Sequence, residues 1–130
     1  MKINLDFNSE KSIYIQIKEN IIKSIANGSL SIGQSLPSVR NMAENIGVNL
    51  HTVNKAYNEL KDEGYLNIDR RKGAVVADLP LKDNEAKINE IKDRALLLIS
   101  EAYLSGMEKD EFIKMCSEYY NDCEVVKNDR

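Results

Sequence analysis

Asn49, His51, Thr52, Asn54 and Lys55 crowd amide, imidazole, hydroxyl and ammonium groups into the opening turns of one helical pattern. Surface helices ordinarily fill such positions with Glu and Lys, which favour the helix more than amide and β-branched residues do. A face that gives up propensity in this way is arranged to hydrogen-bond something outside itself. Asn can bond an adenine edge bidentately, Thr can bond a base or a phosphate, and Lys can meet guanine or phosphate. The chemistry on offer is recognition. His51 is the single histidine, it falls on the exposed side of its pattern, and no Ser or Cys nucleophile accompanies it nearby in sequence. There is no Walker-type glycine loop, and one histidine cannot anchor a His-rich metal site. The expectation is a protein that is not an enzyme and that uses neither metal nor cofactor.

Those side chains need a scaffold, and the flanking sequence supplies one. From Ser12 to Asn27 the residues Tyr14, Ile17, Ile21, Ile22 and Ile25 recur at helical spacing, and Gly28 follows as a stop. The stretch SLSIGQSLP reads as a loop ending in Pro37. Ser38 then caps a second helix whose inward face is Val39, Met42, Ala43 and Ile46, closed by Gly47. Only Val48 separates it from Asn49, the cap of a third helix with Val53, Ala56, Tyr57 and Leu60 facing inward and Gly64 at its end. Two helices joined this tightly must cross at a large angle, as in a helix-turn-helix. Behind them come two β-prone runs, Tyr65 to Asp69 and Ala74 to Asp78, linked by Arg70, Arg71, Lys72 and Gly73. This predicts a hairpin with a basic tip. At the N-terminus Ile3, Leu5 and Phe7 alternate with polar residues, as in a short strand or an extended arm.

With 130 residues, 42% of them hydrophobic and 30% charged, the chain has room for one typical domain or for a small domain plus an appendage. No apolar run is long enough to span a membrane, and residues 1–11 lack the apolar block of a signal peptide, so the expected location is the cytoplasm, with no membrane partner. The net charge of −3 is unevenly spread. Residues 1–80 hold 10 Lys and Arg against 9 Asp and Glu, whereas residues 81–130 hold 8 against 12. A local basic run such as 70–72 can therefore meet phosphates although the whole chain is acidic. Cys116 and Cys123, seven apart, match neither a disulfide framework nor a CxxC metal site, and read as ordinary helix-face residues.

Residues 14–77 resemble the DNA-binding domain of the GntR family of bacterial transcription regulators. The resemblance is carried by Tyr14, Gln16, Ile25, Gly28, Leu30 and Gly33, by Leu36-Pro37-Ser38 with Arg40 and Ala43, and by Gly47, Val48, Thr52 and Val53. It continues through Ala56, Tyr57, Leu60, Gly64, Tyr65, Leu66 and Gly73. It implies a winged helix-turn-helix in which the hairpin is the wing and double-stranded operator DNA is the partner. By position, Arg40 matches the family's DNA-contacting arginine and Thr52 its threonine-valine pair. Asn49 stands where Ser or Thr is usual. Leu50 stands where many members place a base-reading Arg, implying a different or more AT-tolerant operator. In the wing, Arg71, Lys72 and Gly73 replace a common Gly-Lys-Gly, implying stronger phosphate or minor-groove contact. Phosphate contacts are expected from Ser38, Lys55 and the wing (Arg70, Arg71, Lys72, Gly73). Base contacts are expected from Arg40, Asn49, His51, Thr52 and Asn54.

After Pro80 a helical pattern over 84–105 repeats Ile88, Ile91, Ala95, Leu98 and Ala102 at 3,4,3,4 spacing, widened by Leu96, Leu97, Ile99 and Tyr103. A second pattern over 108–123 carries Phe112, Ile113, Cys116, Tyr119, Tyr120 and Cys123. A surface this broad implies contact with more than one neighbour, as at a helical dimer interface. The two-helix appendage resembles the YtrA subfamily of GntR, whose members are short and dimerise through it. The expected architecture is thus mainly α with a small β-hairpin (α+β): a winged helix-turn-helix over 1–80 and a helical dimerisation segment over 81–130. The interface is expected at Ile88, Ile91, Ala95, Leu98, Ala102, Phe112, Cys116 and Tyr119, and the function is that of a homodimeric regulator, most simply a repressor. Two alternatives stand beside these readings: a winged helix reused to bind a protein, and a helix pair folded back over its own winged helix. No residue constellation identifies a small-molecule effector.

Overall fold

The computed structural model describes residues 2–123 of the chain. Met1 and the last part of the segment expected to be helical, residues 124–130, lie outside the described residues. The element order is α1 (Ile13–Ala26), α2 (Val39–Ile46), α3 (Leu50–Asp62), β1 (Leu66–Asp69), β2 (Gly73–Val76), α4 (Glu85–Leu104) and α5 (Lys109–Asn121).

The first five elements share one core. Helix α3 packs on α1, α2 and β1, and its Val53, Ala56, Tyr57 and Leu60 are buried as their spacing requires. Ile17, Ile21 and Ile25 of α1 meet them, with Met42 and Ala43 from α2 and Leu66, Ala74 and Val76 from the hairpin. Full burial of each large aliphatic chain contributes about 1.5–3 kcal/mol. Tyr14, Ile22, Val39 and Ile46, all on inward-facing spacings, are only partly buried and flank the core.

Between α2 and α3 the chain turns at Gly47, whose φ of +69° is left-handed. The Gly47 N–H bonds to the Ala43 carbonyl, and the Val48 N–H bonds to the same carbonyl at 3.0 Å. These two hydrogen bonds to one carbonyl end α2 abruptly and let α3 start at once in a new direction. Asn49 begins α3 by accepting the His51 N–H on its side-chain oxygen at 2.7 Å.

Strands β1 and β2 pair antiparallel, with Leu66 opposite Val76 and Asp69 opposite Gly73. The segment read as a plain loop joins this sheet. Ser35 bridges Val75, the Gly33 N–H bonds to Val76 O, Val76 N–H to Gln34 O and Leu36 N–H to Ala74 O, at 2.8–2.9 Å. Leu30 and Leu36 from this segment are buried. The short run with its glycine and proline hid a third, strand-like edge.

The N-terminal residues form an arm and no strand. Ile3 and Leu5 pack on the core while Phe7 is exposed. The arm is fastened by Gln16, a buried polar residue of α1. Its amide oxygen accepts the Asp6 N–H at 2.8 Å, and its amide nitrogen donates to the carbonyls of Asp6 and Lys11 at 3.0 and 2.9 Å.

Helices α4 and α5 contain no buried residue. They do not fold back to cover the winged helix. Ion pairs join the start of α4 to the rest: Lys18 of α1 pairs with Glu59 and Glu63, and Glu63 also pairs with Lys87 at 3.7 Å. Burial pulls the Lys18 ammonium down, yet the two carboxylates outweigh it and its pKa is raised overall.

Candidate nucleic-acid interface

The outward side of α3 presents Leu50, His51, Asn54, Lys55, Asn58 and Lys61, all exposed, opposite its buried stripe. The caps of α2 and α3 open onto the same helix-turn-helix unit. Ser38 accepts the Asn41 N–H on its hydroxyl oxygen at 3.0 Å, which leaves the hydroxyl proton free to donate to a phosphate. Arg40 is exposed in the first turn of α2.

Electrostatics separate these helices from the two that follow. No acidic residue lies in the first turn of α2 or α3, so the positive end of each helix has no carboxylate within its first turn. In contrast, Glu85 sits in the first turn of α4, and Asp110 and Glu111 in that of α5. Anion-seeking helix ends are thus confined to the unit that carries the basic wing.

Several expected contacts take a more specific form. Asn49 is exposed, but its oxygen is occupied by the α3 cap, so a bidentate bond to adenine would require giving up that cap. Thr52 is half-buried. Lys55 places its ammonium 3.8 Å from the centre of the Tyr14 ring, so its charge is held beside the start of α1. His51 and Asn54 project freely from the exposed face.

The wing is organised by a residue the sequence reading passed over. Asp69 accepts the backbone N–H groups of Arg71 and Lys72 at 2.7 and 3.0 Å, and these bonds hold its carboxyl below the usual range. The tip is therefore a closed turn ending at Gly73, whose φ is +74°, and Arg70, Arg71 and Lys72 all point outward and exposed. Among the described residues none of these three, nor Arg40, has an ion-pair partner, whereas Lys18 and Lys87 do.

A groove runs between α3 and the wing, lined by Val39, Asn54, Asn58, Lys61, Ile68 and Gly73. Asn58 and Lys61 extend the polar stripe by one turn each, and helical spacing from Asn54 would have found them. Ile68 shares the strand face of buried Leu66 yet is 55% exposed, because the hairpin projects beyond the core. Tyr57 closes the floor: its hydroxyl donates to the Pro37 carbonyl at 2.7 Å, and burial pushes the phenol well above its ordinary range.

Of the eight residues expected at a dimer interface, Ile91, Ala95 and Leu98 line one concavity on α4. Ala102 and Phe112 meet at the α4–α5 elbow with Ile99, Tyr103 and Met107, around an apolar hollow of about 450 Å³. Ile88 and Tyr119 are exposed and Cys116 half-buried on the same two helices. Among the described residues no helix is long and apolar enough to cross a membrane, and no group of three or more His, Cys, Asp or Glu could hold a metal ion.

Comparison with known proteins places this arrangement. The profile of the bacterial regulatory proteins of the gntR family matches residues 13–76. The HTH-type transcriptional repressor YtrA of Bacillus subtilis is 34% identical over 119 residues, covering 88% of this chain and 92% of that protein. A structure described as a transcriptional antiterminator from Listeria monocytogenes superposes with a TM-score of 0.82 at 29% identity, over 92% of this chain and 90% of that one. The DNA-binding domain of AraR in complex with its operator ORX1 matches with a TM-score of 0.51 at 28% identity, over 59% of this chain and 99% of that one. Sequence, fold and exposed face agree: the chain belongs to the GntR family of bacterial regulatory proteins, DNA-binding transcription regulators built on a winged helix.

Proposed function

We propose that this regulator is a homodimeric repressor acting in the cytoplasm, with residues 1–80 reading operator DNA and residues 81–130 joining the two copies. The observation that carries the reading is the contrast within one chain. The outward face of α3 and the wing tip carry unpaired polar and basic groups, whereas α4 exposes Ile91, Leu96, Leu97, Leu98 and Ile99 and α5 exposes Ile113, Tyr119 and Tyr120. One recognition helix reads only a few base pairs, and a two-fold dimer reads two half-sites about 10 bp or a multiple apart. An apolar surface as broad as that of α4 and α5 is ordinarily covered by a partner. The repressor naming of the Bacillus subtilis relative supports the sign of regulation. A dimer seated on a promoter also blocks polymerase without further parts.

Arg40, His51, Asn54 and Asn58 act as the base-reading set, with Thr52 and the free amide of Asn49 beside them. Ser38, Lys55, Arg70, Arg71 and Lys72 hold phosphates, and Gly73 closes the wing tip. The test is binding of the purified protein to the DNA upstream of its own gene at two salt concentrations, beside an Arg40→Ala variant and a scrambled duplex. Tight, salt-sensitive binding that the variant loses and the scramble lacks is expected. Equal weak binding to both duplexes would place the operator elsewhere or point to a protein partner, and failure to select any duplex from a random pool would then overturn the reading in favour of a winged helix that binds a protein.

A further inference from the structure

Leu50 is the first residue of α3, directly after its cap, and it is 41% exposed. Among the described residues of the winged helix, only Phe7 and Ile68 are comparably large, apolar and uncovered. Leu50 lines a shallow concavity with Arg40, Ala43, Glu44 and Val48. Ala43 is buried and Val48 half-buried, so the floor is apolar, with a guanidinium and a carboxylate at its rim.

Whatever enters that concavity must suit an apolar floor. The Glu44 carboxylate opposes a phosphate there, which leaves the DNA backbone to Ser38, Lys55 and the wing. Base edges in the major groove present hydrogen-bond donors and acceptors, with one apolar exception, the C5 methyl of thymine. Leucine has neither donor nor acceptor. Set against guanine or against the amino group of cytosine, it would leave those groups desolvated and unpaired. Set against thymine, it covers a methyl and is covered in turn.

We infer that Leu50 is a specificity-determining residue that packs on the C5 methyl of one thymine in each operator half-site. The inference rests on the DNA-reading role proposed above, and the experiment separates the two. An operator duplex is selected with the full-length protein from a random pool, and each thymine is then replaced singly by deoxyuridine, which removes the methyl and nothing else. At one thymine per half-site the wild-type protein should lose roughly fourfold in affinity, the worth of one methyl-sized apolar contact, and about fifteenfold when both half-sites are changed. The Leu50→Ala variant should bind the thymine duplex more weakly than wild type and bind the thymine and uracil duplexes equally, while Arg40 remains essential to it.

Selection of an operator with no thymine sensitive to the replacement overturns the inference and leaves the DNA-reading role intact. A uracil penalty that persists unchanged in Leu50→Ala also overturns it, since the methyl would then act through the stiffness of the duplex. Failure to select any sequence overturns both.

Discussion

The winged helix and the α4–α5 pair are written in the same language of helices with apolar faces, and they differ in where those faces go. Ile17, Ile21, Val53 and Leu60 are wholly buried by neighbours from the same chain. Leu96, Leu97, Leu98 and Tyr103 are all more than half exposed. The difference does not lie in apolar content. It lies in return contacts: α1, α2 and the hairpin close round α3, whereas α4 and α5 bury no residue and add none to that core. In the proposed dimer this helix pair is half of an interface, and its stability then depends on the partner copy.

The largest effect that separates the two regions is expected from Leu60→Ala. A cavity in the closed core costs about 2–5 kcal/mol, read as a drop in the urea midpoint of the full chain. An equal cost for Leu98→Ala in dilute protein would break the contrast, because an exposed leucine leaves no cavity.

Next comes Leu98→Glu, which places a charge within the seam of the proposed dimer. Sedimentation should show monomers where wild type is dimeric, and operator affinity should fall by about two orders of magnitude as one half-site is lost. The near-ultraviolet signature of the winged helix should stay as it is. A variant that remains dimeric would locate the seam elsewhere on α4 and α5.

Gln16→Ala tests how the arm is held. Removing three hydrogen bonds from a buried amide leaves backbone groups of the arm unpaired, at a cost of about 1–3 kcal/mol. Amide exchange should rise at Asp6 and stay slow in α3. Uniform acceleration throughout the domain would mean that the arm belongs to the cooperative core.

The smallest effect concerns Tyr57, whose loss as Tyr57→Phe should cost about 1 kcal/mol through the Pro37 bond. Its pH dependence has a definite sign. The phenol ordinarily ionises near pH 10.0, and burial raises that value in the folded state. The unfolded chain alone therefore sheds the proton as pH rises past 10.0, and stability declines. In Tyr57→Phe the decline above that pH should be shallower, although the rest of the alkaline slope, with Lys18 losing its raised-pKa pairing, should persist.

Much of the fold was legible because its signals are local. Helical spacing identified α1, α2 and α3, and the caps Ser38 and Asn49 placed the starts of α2 and α3, since a Ser or Asn oxygen must lie next to the first free N–H groups. The basic hairpin tip was legible for a similar reason: turn residues between two β-prone runs specify their own connection. Less local features escaped. The pairing of Gln34, Ser35 and Leu36 with β2 joins residues about forty positions apart, and no periodicity announces it. Asp69 escaped because capping of a wing tip depends on the strand register, and Asn58 because it joins the site only through the groove that the wing closes against α3.

By itself the sequence determined the order of elements, the polar face of the third helix and the apolar breadth of the last two, all consequences of which residues recur at which spacing. Tertiary structure alone decided which of these groups are free to act. It spends the Asn49 oxygen on a cap, holds Lys55 over Tyr14, gathers Arg40 and Leu50 round one concavity and leaves α4 and α5 uncovered. Spacing along a chain assigns a side chain to a face, but only packing against the rest of the molecule determines what that face meets.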